Sequence, residues 1–139
     1  MGDTVFMEAY FTIFNQKADE FFKDLIDGFP KTPEYNVVVG EFRTLRSGFT
    51  LLKNMDNKQP QRIFRDYIIE TYRDKIANED ESFFLSKNDF EITSRRKEYW
   101  MDFIDKIKMA WAKMDDENKK IIWKYFRLLV ALSDKCEEK

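Results

Sequence analysis

Apolar residues recur along this chain at three- and four-residue intervals and almost nowhere in alternation. That period belongs to helices burying one face. Breaks at 28–33, 54–60, 78–93 and 115–116 divide it into segments. The expectation is an all-α protein, an irregular bundle of about five helices over roughly 4–27, 33–53, 60–77, 94–114 and 116–134, within one domain spanning 1–139.

Local chemistry supports these limits. Asp3 or Thr4 can cap the first helix, Gly28 stands at a helix C′ position, and Pro30 forbids continuation. Thr32, Pro33 and Glu34 read as a cap and first turn. Val37–Val39 alone reads as strand, but the flanking helical period outvotes it. Gly40 and Gly48 weaken the second helix, and their shared face suggests a close helix crossing. Pro60 opens the third helix, and Asp115 caps the fifth. Phe83, Phe84 and Leu85 suggest one further turn tucked under the bundle.

The apolar arcs differ in width. On the fifth helix Ile121, Ile122, Trp123, Tyr125, Phe126, Leu128, Leu129, Val130 and Leu132 cover roughly 220° at 100° per residue. Lys120, Lys124 and Arg127 fill the remainder, so this helix is expected at the centre. The first helix is also broad, with Phe6, Tyr10, Ile13 and Phe14 on one edge and Phe11, Phe22 and Ile26 on the other. A surface helix needs only about 100° of apolar arc. The first helix is therefore either sandwiched within the fold or covered by another chain.

Composition narrows the chemistry. The 139 residues contain no histidine, one cysteine and four glycines. This removes His-based triads and metal ligands, disulfides within the chain, Cys-based zinc sites and Gly-rich phosphate loops. No apolar run approaches the roughly 18 residues of a membrane span, and residues 1–6 lack a signal peptide's basic start. The lone Cys136 fits a reducing compartment and reads as a plain terminal thiol.

Three groupings could carry chemistry. Glu79, Asp80 and Glu81, with Asp89 and Glu91, match no metal-binding loop and read as a solvated, helix-capping segment. No metal or cofactor is expected. Arg43, Arg46, Arg62 and Arg65, with Lys120, Lys124 and Arg127, could contact phosphates if brought together, and Arg95, Arg96 and Lys97 open the fourth helix. A net charge of −2 favours solvated helix faces instead. Trp100, Trp111 and Trp123 lie on apolar arcs and read as core rather than as a ligand pocket. Aromatics make up 17% of the chain, more than a domain this small usually buries. That surplus points to a protein partner or self-association through Met7, Phe11, Phe22 and Ile26.

The segment from Phe21 to Pro30, FFKDLIDGFP, resembles a helix-to-turn signature in small uncharacterised all-helical proteins of giant and algal nucleocytoplasmic large DNA viruses. Tyr67–Tyr72 (YIIETY), Asp80–Leu85 (DESFFL) and Asn118–Phe126 (NKKIIWKYF) follow the same pattern in the same order, over about 14–135. The resemblance implies no activity, cofactor or catalytic residue. It implies a viral protein of the infected cell's cytoplasm or nucleus, or of the virion. The expectation is a non-enzymatic interaction or structural protein that meets a protein partner or self-associates as a homo-oligomer, with nucleic-acid binding through the basic residues as the alternative and no membrane contact.

Overall fold

The computed structural model describes residues 2–82 and 98–137, with side chains at 8–82 and 104–137. Asp3 and Thr4 as caps, Met7 as a contact residue, Phe83–Leu85, Asp89, Glu91, Arg95–Lys97 and Trp100 lie outside those described side chains. The described residues are almost entirely helical and contain no strand.

Helix α1 spans Gly2–Gly28 and α2 spans Asn36–Met55. Between them Pro33–Tyr35 forms a 3-10 turn. The third helix, α3, is continuous over 59–77: an α segment Gln59–Phe64, a π turn Arg65–Ile69 and an α segment Glu70–Ala77. Helices α4, Glu98–Trp111, and α5, Asp116–Cys136, complete the bundle.

Several boundaries differ from expectation for physical reasons. Thr32 precedes a proline and is extended, with φ −119° and ψ 155°. It makes no side-chain capping bond; its carbonyl accepts from the Tyr35 amide at 3.0 Å, which tightens the chain into the 3-10 turn and delays α2 to Asn36. Gly28 does not adopt the left-handed conformation of a C′ glycine. It is needed because Asn118 lies against it, donating from Nδ2 to the Gly28 carbonyl at 3.1 Å. A Cβ at Gly40 would meet nothing within 4 Å, so no close crossing accounts for that glycine. Helix α4 stops at Trp111 rather than 114. Asp115 caps α5 as expected, accepting from the Asn118 amide at 2.8 Å.

The π turn explains a departure from regular spacing. Its extra residue closes the Glu70 amide onto the Arg65 carbonyl. The adjacent pair Ile68 and Ile69 is thereby buried together, along with Ile63, Phe64 and Ile76.

Helices α1 and α5 run antiparallel and share the most extensive interface, from Gly28–Asn118 at one end toward Phe11 and Cys136 at the other. Phe21 stacks on Tyr125 at 4.9 Å and meets Phe126 edge-on at 5.4 Å. Helix α5 thus lies centrally, with Ile122, Trp123, Phe126 and Leu129 buried and Ile121, Leu128, Val130 and Leu132 half-buried. Helices α2 and α3 also pack on α1, so Phe11, Phe14, Phe21 and Phe22 are covered within the chain, while Ile13 on the other edge of the arc stays 36% exposed. Trp111 and Trp123 pack edge-on in the core at 5.8 Å, as their arcs suggested.

Candidate functional site

Burial decides which of the expected contact residues remain available. Phe22 is fully buried and Phe11 is only 5% exposed. The Phe22 ring lies 5.7 Å from that of Phe49, and Lys58 sits over the Phe11 ring at 5.6 Å. These two residues belong to the interior, which corrects the expectation that they face a partner. Ile26 is half-buried and lines a hollow at the α1–α2 corner.

The basic residues do not converge either. Arg46 makes a bidentate pair with Asp19, at 2.9 and 3.0 Å, tying α2 to α1 and holding the Asp19 carboxyl below its usual range. Arg65 is engaged by Asp66 at 2.7 Å and Glu137 at 2.6 Å. Arg127 stands 3.7 Å from Glu79. Arg62 lies near the last turn of α5, whereas Lys120 and Lys124 are exposed on its first two turns, roughly 20 Å away by helical rise. Arg43 sits at the α1–α2 corner. These positions do not form one continuous phosphate-binding face.

A hollow of about 440 Å³ lies between α3 and the end of α5. Its charges serve packing. Arg73 pairs with Asp134 at 2.8 and 2.9 Å, which keeps the Asp134 carboxyl below its usual range. Beside it buried Gln61 donates to Ser133 at 2.6 Å and to Glu137 at 3.1 Å. Cys136 is buried rather than an open terminal thiol, and burial with the nearby Glu137 pushes its pKa up to about 12. Tyr125 donates to Asp24; burial and that bond raise its pKa above the usual value. Among the described residues, no group of three or more potential metal ligands occurs, and no helix is long and apolar enough to cross a membrane.

What stands apart is the outward face of α2. Its exposed residues are Asn36, Val37, Arg43, Thr44, Ser47, Leu51, Asn54 and Met55, of which Arg43 alone is charged. Helix α5 supplies the contrast. Its exposed residues are Asp116, Glu117, Lys120, Lys124, Arg127, Ala131, Asp134 and Lys135, and all but Ala131 are charged. On α2, Val37 is 74% exposed, Leu51 67% and Met55 85%. With Gly40, Thr44, Ser47 and Asn54 they occupy an arc of about 100° along about 27 Å of helix. Single exposed apolar residues are ordinary, but an aligned uncharged face is not.

Toward α4 the face borders a mixed lining in which Glu34, Glu41 and Lys113 stand among apolar residues. A groove of about 180 Å³ between α2 and α4 has Phe29, Tyr35 and Val38 in its walls and Met109, 70% exposed, at its lip. Phe29 stacks on Phe42 at 5.8 Å, so the core sets one wall. The Glu41–Lys106 pair at 3.4 Å joins α2 to α4. The sequence contained a signal for this face that broad-arc reasoning missed. On the second helix the arc opposite Phe42 and Phe49 carries Val37, Leu51 and Met55 where lysines and glutamates would ordinarily stand. No protein-family model, no curated protein and no solved structure matches the chain.

Proposed function

We propose that this chain is a non-enzymatic protein-interaction or structural module, and that its contact surface is the outward face of α2 with the adjoining α2–α4 groove. The observation that carries the reading is the uncharged face bearing exposed Val37, Leu51 and Met55 in a chain that is 36% charged. Protein interfaces are depleted in charge at their centre and enriched in methionine, whose flexible side chain fits uneven partners. Both Met55 and Met109 are exposed here. The viral setting, with the infected cell or the virion as the place of action, rests on the sequence resemblance alone.

The test is a paired capture from infected-cell or host extract, after nuclease treatment, using wild-type protein and a Val37→Glu/Leu51→Glu variant as baits. Both positions are mostly exposed, so the variant is expected to fold with near wild-type stability. A partner retained by wild type and lost by the variant supports the reading. A partner held equally by both overturns the assignment of this face. Loss of all captured material on nuclease treatment supports nucleic-acid binding instead.

A further inference from the structure

At the α1–α2 corner a hollow of about 420 Å³ opens beside the outward face of α2. Ile26, Phe29, Pro30 and Val39 provide an apolar lining. Lys31 and Arg43 stand in the same lining, both exposed, and neither makes an ion pair among the described residues. This distinguishes them from Arg46, Arg65 and Arg73, which are each tied to a carboxylate. One acid, Asp27, shares the hollow, and the first turn of α2 carries none. Glu34 and Glu41 line the groove toward α4 instead. The α2 face therefore has a polarity: cations over an apolar floor at its start, and uncharged residues from Thr44 to Met55 along its exposed arc.

Resting on the interaction reading above, we propose that the partner of this face is an amphipathic protein segment with an acidic end. An apolar side chain of that end seats between Ile26, Phe29, Pro30 and Val39, while adjacent carboxylates meet Lys31 and Arg43. The rest of the segment's apolar stripe follows Val37, Leu51 and Met55. Charge complementarity sets the direction in which the segment lies, because the exposed residues of α2 from Thr44 to Met55 carry no charge to attract an acidic end. A like-charged end would bring its cations against Lys31 and Arg43.

The experiment is selection of a displayed library of random 16-residue peptides on the wild-type chain. Affinities of the selected peptides are then measured for wild type, Lys31→Glu/Arg43→Glu and Val37→Glu/Leu51→Glu. All three proteins are first compared by thermal melting. The expected result is enrichment of Asp or Glu next to Leu, Ile or Phe, with about tenfold or greater weakening by the corner variant and weakening by the face variant as well. Peptides that need Val37 and Leu51 but show no acidic excess, or no loss with Lys31→Glu/Arg43→Glu, overturn the acidic-end assignment and leave the interaction reading intact. No enrichment, or peptides indifferent to Val37→Glu/Leu51→Glu, overturns both. A 20-nucleotide single-stranded DNA included as a probe supplies the remaining outcome: binding as tight as the best peptide, with the same loss in the corner variant, overturns a protein partner in favour of a polyanion.

Discussion

Gly28 offers a direct test of how the α1–α5 pair is locked. Its backbone is not in the left-handed region, so a side chain there meets no conformational penalty. The obstacle is contact. A Cβ at residue 28 would fall well inside van der Waals distance of Asn118 Oδ1 and 3.2 Å from its Cγ. Asn118 is only 8% exposed and donates to the Gly28 carbonyl at 3.1 Å. Gly28→Ala must push this amide aside, breaking its bond and stranding a buried polar group, at about 1–3 kcal/mol. The gain in helix propensity is at most about 1 kcal/mol. With the full propensity gain the net effect is about 0–2 kcal/mol of destabilisation, a fall of about 4 °C per kcal/mol in melting temperature for a domain of this size. Urea unfolding followed by circular dichroism reads it. Asn118→Ala is the decisive second variant: it costs stability itself, but removes the atoms that a Cβ at residue 28 would strike. In that background Gly28→Ala is expected to be neutral or stabilising. Equal destabilisation in both backgrounds, or stabilisation in the wild type, refutes the contact argument.

The other predictions are independent of that lock. Gly40→Ala, where nothing lies within 4 Å of the new Cβ, is expected to stabilise the fold by about 1 kcal/mol in urea unfolding. Phe22→Ala is expected to cost about 3–5 kcal/mol, because Phe22 is fully buried; a change below about 1 kcal/mol would return it to the surface. Cys136, with its pKa pushed up to about 12 by burial, is expected to resist a thiol reagent at pH 8 in the native protein and react once urea unfolds it. Asp19 has its folded pKa lowered chiefly by the bond from Arg46, so its stabilisation is full above the unfolded value of about 3.9 and lost as pH falls through the lower folded value. Asp19→Asn is therefore expected to make the stability profile below about pH 4 less steep, with Asp134, also held below its ordinary value, keeping a residual slope, measured by urea unfolding across pH.

Helical period made the architecture legible because burial on one face is a property of spacing alone. The cap at Asp115 was equally legible, since one side-chain oxygen three residues from one amide suffices. The 3-10 turn at Pro33–Tyr35 was not, because the Thr32 carbonyl bond that forms it competes locally with helix initiation. The π turn at 65–69 depends on how Ile68 and Ile69 both reach the core, which a wheel of fixed pitch cannot display. The candidate site failed to appear for a related reason. Width of the apolar arc on the first helix could mean a partner or an internal sandwich, and α2, α3 and α5 cover Phe11, Phe14, Phe21 and Phe22 but leave Ile13 exposed. The informative quantity was the lack of charge on a narrower helix. Once the neighbours of α2 are in place, Val37, Leu51 and Met55 stand outside them.

The central claim is that partners meet the outward face of α2, and amide chemical-shift perturbation tests it most directly. Labelled protein titrated with the captured partner, or with a selected peptide, is predicted to show its largest perturbations over residues 36–55 and around Met109. Perturbations centred on the charged face of α5, at Lys120, Lys124 and Arg127, with residues 36–55 unmoved, would contradict it.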